Sequence, residues 1–296
     1  MIEKIALFGD AQNLAGILTQ PQADAGPDSG LAFVLLNAGI IHRIGPGRLN
    51  VKLARRLAAA GFTSLRFDLS GIGDSQTAES TVSFQAQAVA DIRAAMDYLQ
   101  ASRSMRRFAL VGLCSGADNG FATALADPRV VWLVMLDPNA YPTWKTRLRF
   151  QLIRLRHPST IGASLRRLIR LVFGRPRQLG DQGGGQPQSD DTPDRDRYVR
   201  PKPTLAELAA GLTSVLDRGG AVVAIYSGSS LRQFNDSRQL DEALQPFGLA
   251  GRIGCRFWAD VNHTFTELSA QSVLIDTIVA WARDQAARRD GARSST

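Results

Sequence analysis

The sequence has few of the residues that build disulfide or metal scaffolds. It contains two cysteines and three histidines among 296 residues, and the separation of Cys114 from Cys255 does not suggest a disulfide framework. It also lacks any run of 18 apolar residues, so no transmembrane helix is predicted. The N-terminus has neither the basic nor the long apolar region of a signal peptide, and a cytoplasmic location is therefore expected.

The positive charge of the chain is concentrated in one segment. The formal net charge is +8, but ten of the 35 Lys and Arg residues lie between Asn139 and Gly180, where no Asp or Glu occurs. The rest of the chain carries 25 basic and 27 acidic residues. Because that remainder is slightly acidic, a nucleic acid is not the expected partner, in spite of the high pI.

Apolar runs typical of strands alternate with helical patterns along most of the chain. Strands are predicted at 31–36, 63–69, 108–113, 130–136, 221–226 and 253–258, with a hairpin formed by 5–8 and 16–18. Helices are predicted between them, for example at 49–60, 84–99, 115–126 and 204–216. Such alternation is typical of an α/β protein with a doubly wound, mostly parallel sheet.

One long segment interrupts this pattern. We expect residues 1–138 and 204–296 to form the α/β core. The basic residues 139–180 carry amphipathic patterns on both sides of His157-Pro158 and predict a helical lid. Residues 181–203 are rich in Gly, Asp and Pro and predict a flexible loop.

A candidate nucleophile lies where a predicted strand meets a helix. Gly112-Leu-Cys114-Ser115-Gly116 has the Gly-x-nucleophile-x-Gly spacing of a nucleophile elbow, with Cys114 at the centre. The flanking glycines are needed because the turn is too sharp for bulky neighbours. Ser115 is out of frame as a nucleophile, but its backbone N–H is a candidate oxyanion donor. The alternative is an inert, buried cysteine at a tight turn.

Two other predicted strand ends supply partners for this nucleophile. His263 follows the last strand and comes after Cys114 in the chain, which suits a general base. The small residues of Asn37-Ala38-Gly39 follow an earlier strand, and Ala38 is the candidate for a second oxyanion N–H. His42, just beyond, either lines the site or is a solvated or capping histidine.

These motifs together resemble the α/β-hydrolase superfamily over essentially the whole chain. The segments 37–46, 66–75 and 262–266, with the elbow, resemble more particularly the hydrolases associated with exosortase and exopolysaccharide gene clusters. The resemblance implies the α/β-hydrolase fold with a helical lid inserted at 139–180. It implies no metal and no cofactor.

The resemblance leaves the catalytic acid open. The superfamily usually carries it after the strand predicted at 221–226, where Asp236 is the first carboxylate and comes late. Some of its lipases carry it one strand earlier, in a Leu-Asp-Pro sequence such as the one that contains Asp137. We therefore rank Asp137 first as the partner of His263, Asp236 second, and a Cys–His dyad without an acid third.

A cysteine at the elbow favours acyl chemistry. A thiolate attacks esters and thioesters and forms an acyl-enzyme, and families of this fold with an elbow cysteine include acyltransferases as well as hydrolases. We therefore expect a (thio)esterase or an acyltransferase. The arginines of the lid suit an acyl-carrier protein, coenzyme A or an anionic membrane surface. The alternative function is a catalytically degenerate scaffold that binds a carrier protein or a membrane surface.

Overall fold

Eight strands form one sheet in the computed structural model, which describes residues 1–22, 30–79, 81–155 and 200–294. Their order across the sheet is β1-β2-β4-β3-β5-β6-β7-β8. The strands β3 to β8 run parallel, and β2 is antiparallel to both β1 and β4. The strands are β1 Ile2–Phe8, β2 Leu14–Gln20, β3 Leu31–Leu35, β4 Thr63–Phe67, β5 Arg107–Leu113, β6 Val130–Leu136, β7 Ala221–Ser227 and β8 Gly254–Trp258.

Helices cover both faces of this sheet. One face packs on α1 and α7, and the other packs on α2, α3, α5 and α6. The helices in the described residues are α1 Leu49–Ala59, α2 Phe84–Arg103, α3 Ser115–Ala126, α4 Trp144–Leu155, α5 Leu205–Asp217, α6 Gln239–Leu244 and α7 Leu268–Ser294.

The central strands are apolar throughout because both of their faces are buried. Every residue of β3 and of β6 is buried, so neither strand shows the alternation of a half-exposed strand. On one side the leucines of α1 pack with Phe33 of β3, and on the other Leu110 and Leu133 pack against α3. The predicted α/β-hydrolase fold with a mostly parallel sheet is confirmed.

The predicted lid and loop are described only in part. The helix α4 lies in the first half of the predicted lid. His157, the second predicted lid helix and residues 181–199 of the predicted loop lie outside the described residues. The end of that loop is anchored rather than free, because Arg200 donates to the carbonyl of Gln85 and the Tyr141 hydroxyl donates to the carbonyl of Pro203.

None of the helices in the described ranges is both long and apolar enough to cross a membrane.

Candidate active site

Parallel strands bring the predicted site residues to one edge of the sheet. Cys114 directly follows β5, Asp137 directly follows β6, and His263 lies in the loop between β8 and α7. In parallel sheets the carboxyl ends of the strands share an edge, which is where ligands bind. Residues that are distant in the chain therefore meet beyond this edge.

Cys114 has the backbone of a nucleophile elbow. Its φ is 54° and its ψ −119°, a conformation that a non-glycine residue rarely adopts. A Cβ on Gly112 would lie 2.2 Å from the backbone of Gly116, and one on Gly116 would lie 2.4 Å from the Asn37 carbonyl oxygen. Both glycines are therefore required sterically. The turn leaves Cys114 exposed at the start of α3.

His263 bridges Cys114 and Asp137. Its Nδ1 lies 2.8 Å from Oδ2 of Asp137, and its ring also forms a hydrogen bond with the side chain of Cys114. The Asp137 carboxylate is fixed in turn by the backbone N–H and the hydroxyl of Ser227, which both donate to it. Ser227 is not among the residues predicted from the sequence. Its position at the end of β7, beside β6 in the sheet, is apparent only once the strand order is known.

These contacts keep a proton on His263. The hydrogen bond to Asp137, followed by the one to Cys114, raises the pKa of His263 from 6.5 to about 10, while burial opposes the rise. An imidazole with this pKa is protonated at pH 7. A histidine whose pKa is raised in this way holds a proton more tightly, which suits a general base beside Cys114.

The alternative acid is engaged elsewhere. Asp236 accepts hydrogen bonds from Arg238 and lies 3.3 Å from the guanidinium of Arg149. The hydrogen bond from Arg238 is the main cause that lowers the pKa of Asp236 to about 2. Of the two carboxylates ranked from the sequence, it is Asp137 that the structure brings to His263.

The candidate oxyanion donors are backbone groups beside the elbow. The N–H of Ser115 is the first of α3 and has no partner within the helix. The N–H of Gly39 donates to the Ser115 hydroxyl at 2.7 Å, and this bond holds the loop 37–39 beside the elbow. The predicted second donor, the N–H of Ala38, lies in the same loop, where the Ala38 carbonyl accepts a hydrogen bond from the N–H of Ile41.

His42 belongs to a separate cluster under the same loop. Its Nε2 lies 3.8 Å from Asp68 and 3.7 Å from Asp74, and these three side chains could in principle ligate a metal ion. The Arg43 guanidinium, however, forms ion pairs with both carboxylates and supplies a positive charge there. His42 does not line the cavity above Cys114.

Two cavities meet at the site. One of about 350 Å³ opens over Cys114, His263 and Asp137. The other, of about 460 Å³, is mainly apolar and lies between β6 and β7 of the sheet and the helices α3 and α5. The five residues that line both cavities are Asp118, Pro138, Asn139, Lys202 and Tyr226. The two cavities are thus neighbours on either side of these residues.

The sheet, the strained elbow and the carboxyl-edge loops define the class of this protein as an α/β hydrolase. Within that class, the family model described as serine aminopeptidase, S33, matches residues 33–212, which is more than half of the chain. The chain belongs to this family. At the elbow it carries Cys114 in place of a serine. No curated protein matches the chain.

Solved structures with the same fold are distant in sequence. The thioesterase domain from the curacin biosynthetic pathway has a TM-score of 0.53 at 18% identity, covering 94% of this chain and 99% of that one. The esterase domain of a Rhodothermus marinus protein has a TM-score of 0.53 at 16% identity, covering 96% and 99%. A serine hydrolase homologue from Coxiella burnetii has a TM-score of 0.52 at 14% identity, covering 95% and 97%. At these identities the likeness concerns the fold.

Proposed function

We propose that this hydrolase forms an acyl-enzyme on Cys114 and cleaves or transfers the acyl group of an ester or thioester. The observation that carries the proposal is the hydrogen-bonded series Cys114–His263–Asp137 at the mouth of a cavity. The elbow cysteine supports a thioester, because a thiolate exchanges acyl groups readily with other thiols. The neighbouring folds named as esterase and thioesterase are in keeping with this chemistry.

The reaction divides into two steps. His263 takes the proton of the Cys114 thiol, and the Cys114 sulfur bonds to the substrate carbonyl carbon. The N–H groups of Ser115 and Ala38 stabilise the oxyanion. When the bond to the alcohol or thiol breaks, His263 gives that leaving group its proton. His263 then takes a proton from water or from an acceptor, which attacks the acyl-enzyme and releases the Cys114 sulfur. Asp137 orients His263 throughout.

The apolar cavity suits the acyl chain. Its walls include Phe121, Leu208, Leu212, Val222 and Ala224 from both sides of the interface between sheet and helices. A cavity of about 460 Å³ is within the range that encloses small-molecule ligands. Because it adjoins the cavity over Cys114, it can receive a chain attached to the sulfur that passes the residues shared by the two cavities.

Intact-mass spectrometry tests the proposal. Incubation with a small acyl thioester is expected to add one acyl group to the protein. The adduct should be lost in Cys114→Ala and kept in Cys255→Ala, the matched control. Cys255 is half-buried and burial raises the pKa of its thiol to about 12, so it should not react. Absence of both an adduct and turnover with every ester and thioester tried would refute the proposal.

A second candidate function is binding to an anionic membrane surface. On α4, Trp144, Leu148 and Leu152 form a stripe in which each side chain is at least 51% exposed, while Thr146 on the opposite side is buried. Arg147 is exposed beside the stripe. An apolar face flanked by cations is typical of interfacial helices.

Vesicle sedimentation tests this second function. Vesicles with phosphatidylglycerol should retain the protein and neutral vesicles should not. Binding should fall in Trp144→Ala, and equal sedimentation of this variant and the wild type would exclude the stripe as the contact.

The proposed function includes three further expectations from the sequence. They are an acyl-carrier protein or coenzyme A as the acyl donor, a cytoplasmic location, and a relation to the exosortase-associated hydrolases.

A further inference from the structure

A polar collar separates the nucleophile from the apolar cavity. It consists of Asp118, Asn139 and Lys202, which line both cavities, whereas Cys114 lines only the catalytic one. An acyl chain that runs from Cys114 into the apolar cavity must pass these three side chains. A purely aliphatic chain would cover these polar groups without offering them hydrogen bonds, and burying unpaired polar groups costs free energy.

Asp118 is the acceptor of the collar. Its Oδ1 accepts a hydrogen bond of 2.9 Å from the Asn139 side-chain nitrogen. Its Oδ2 accepts none from the residues that the structure describes. The catalytic steps derived above do not use this carboxylate, although it lies one helical turn beyond Cys114. Burial raises its pKa to about 6, so it is mostly ionised at neutral pH.

The surroundings of Asp118 favour a neutral partner. Lys202 lines the same collar and donates to the Ala140 carbonyl, and the charge of Arg200 acts on Asp118. These two cations disfavour an ammonium group on the substrate, and Asp118 itself disfavours a carboxylate. A hydroxyl avoids both conflicts, since it can donate to Asp118 and accept from Asn139 or Lys202.

The distance along α3 indicates where on the chain the hydroxyl lies. Asp118 lies three residues after Ser115, the first residue of α3, so about one helical turn, with a pitch of roughly 5.4 Å, separates it from the elbow. A hydroxyl on the third carbon of an acyl chain lies roughly 3 Å from the carbonyl carbon by standard bond lengths. A hydrogen bond of about 2.8 Å spans the remainder.

We propose that Asp118 is a specificity-determining residue that selects acyl groups bearing a hydroxyl on the third carbon, with the aliphatic remainder in the apolar cavity. The inference rests on the proposed function, because it takes Cys114 as the point of attachment. It names the substrate class as 3-hydroxyacyl esters or thioesters.

Two matched thioesters test the selectivity. The substrates are 3-hydroxyoctanoyl and octanoyl N-acetylcysteamine. In the wild type, kcat/KM is expected to be at least tenfold higher for the hydroxylated substrate, and one enantiomer should be preferred because the acceptor is fixed on one wall. Asp118→Leu keeps the branched outline of the side chain but removes both acceptors, so the ratio should fall to about one.

A control separates this effect from a general loss of stability. Asp284→Leu makes the same substitution on an exposed part of α7 and should keep the wild-type ratio. The ratio is informative even if Asp118→Leu lowers activity overall, since both substrates are measured on the same protein.

A binding measurement separates failure of the inference from failure of the proposed function. Calorimetry on Cys114→Ala with 3-hydroxyoctanoate and octanoate requires no turnover. If the thioesters are not cleaved but the hydroxylated acid still binds at least fivefold more tightly, with loss of that preference in Cys114→Ala/Asp118→Leu, the collar is supported and the proposed chemistry is not. Equal or weaker binding of the hydroxylated acid, or a preference that survives loss of Asp118, would overturn the inference.

Discussion

At the scale of single residues, ordinary side chains acquire unusual chemistry from what lies against them. His263 has an intrinsic pKa of 6.5, and its contacts with Asp137 and Cys114 raise this pKa to about 10. Asp118 starts from 3.8, and burial raises its pKa to about 6. Both shifts arise from neighbours that are distant in the sequence, and both give predictions that a single substitution tests.

Asp137→Asn should slow the alkylation of Cys114. The loss of the carboxylate removes the main cause of the raised pKa of His263, so the imidazole becomes a weaker base toward the Cys114 thiol. The rate of iodoacetamide labelling at pH 7, followed by intact mass, should fall at least tenfold. Asp236→Asn is the matched control and should leave the rate unchanged, because Asp236 pairs with Arg238 and Arg149. An equal effect of the two substitutions would contradict the assignment of Asp137.

Asp118→Asn should stabilise the fold at neutral pH. Because the folded-state pKa is raised from 3.8 to about 6, the folded state holds the proton more tightly, and stability decreases as the pH rises between these two values. At about 1.4 kcal/mol for each unit of pKa, the ionised carboxylate destabilises the fold by up to about 3 kcal/mol.

Urea unfolding at several pH values measures this gain. The amide should unfold with a free energy about 1–3 kcal/mol higher than the wild type at pH 7, and the difference should vanish below pH 4. A difference that is the same at pH 4 and pH 7 would show that ionisation of Asp118 is not its cause. A carboxylate that weakens the fold in this way is typical of a functional group.

At the scale of elements, the strand–helix junction of β5 and α3 depends on close backbone contact. Gly116 and Gly120 lie one turn apart on α3 but differ in their surroundings. A Cβ on Gly116 would meet the Asn37 carbonyl oxygen at 2.4 Å, whereas a Cβ on Gly120 would meet the flexible ends of Leu133 and Leu36 at 3.3 Å. A Cβ on Gly116 would thus meet backbone, and this backbone cannot move without displacing the loop 37–39, which carries the candidate second oxyanion donor.

Gly116→Ala should therefore destabilise the protein much more than Gly120→Ala. We expect a loss of about 2–4 kcal/mol for Gly116→Ala, because the added methyl forces backbone apart. Gly120→Ala should change the stability by less than about 1 kcal/mol, because the gain in helix propensity offsets slight crowding. Urea unfolding followed by tryptophan fluorescence measures both, and similar losses would mean that the elbow is not tightly packed.

At the scale of the whole molecule, the apolar cavity exists because the helices on one face of the sheet do not pack fully against its strands. It lies where α3 and α5 meet β6 and β7, on the face of the sheet opposite α1 and α7. On β7 the side chain of Ala224 lines the cavity, while its neighbour Val223 packs on the opposite face. Because successive side chains of a strand point to opposite faces of the sheet, substitutions at these two positions probe the two faces separately.

Ala224→Leu should shorten the acyl chains that the enzyme accepts. The larger side chain fills part of the cavity, so kcat/KM for dodecanoyl relative to butanoyl thioesters should fall at least tenfold. Val223→Leu adds volume to the opposite face and should leave this ratio within about threefold, whatever its effect on stability. Equal chain-length profiles for Ala224→Leu and the wild type would exclude this cavity as the acyl site.

The fold and the chemical types at the site could be predicted from local patterns in the sequence. Apolar strands alternating with amphipathic helices are local patterns, and they predicted the parallel sheet. The elbow motif was readable because glycines must flank so sharp a turn, which made Cys114 recognisable from five consecutive residues. His263 could be predicted as the base because it follows the last predicted strand and comes after Cys114 in the chain.

Which of these groups come into contact depends on the three-dimensional fold. Whether Asp137 or Asp236 contacts His263 depends on the adjacency of β6, β7 and β8 and on the arginines that engage Asp236, neither of which is encoded locally. The positions of Gly39 and Ser227 depend in the same way on loops from different strands. The cavity and its collar arise from the packing of helices on the sheet. Burial, hydrogen bonding and pKa are properties of a three-dimensional environment, and they become defined only when distant segments of the chain are brought together.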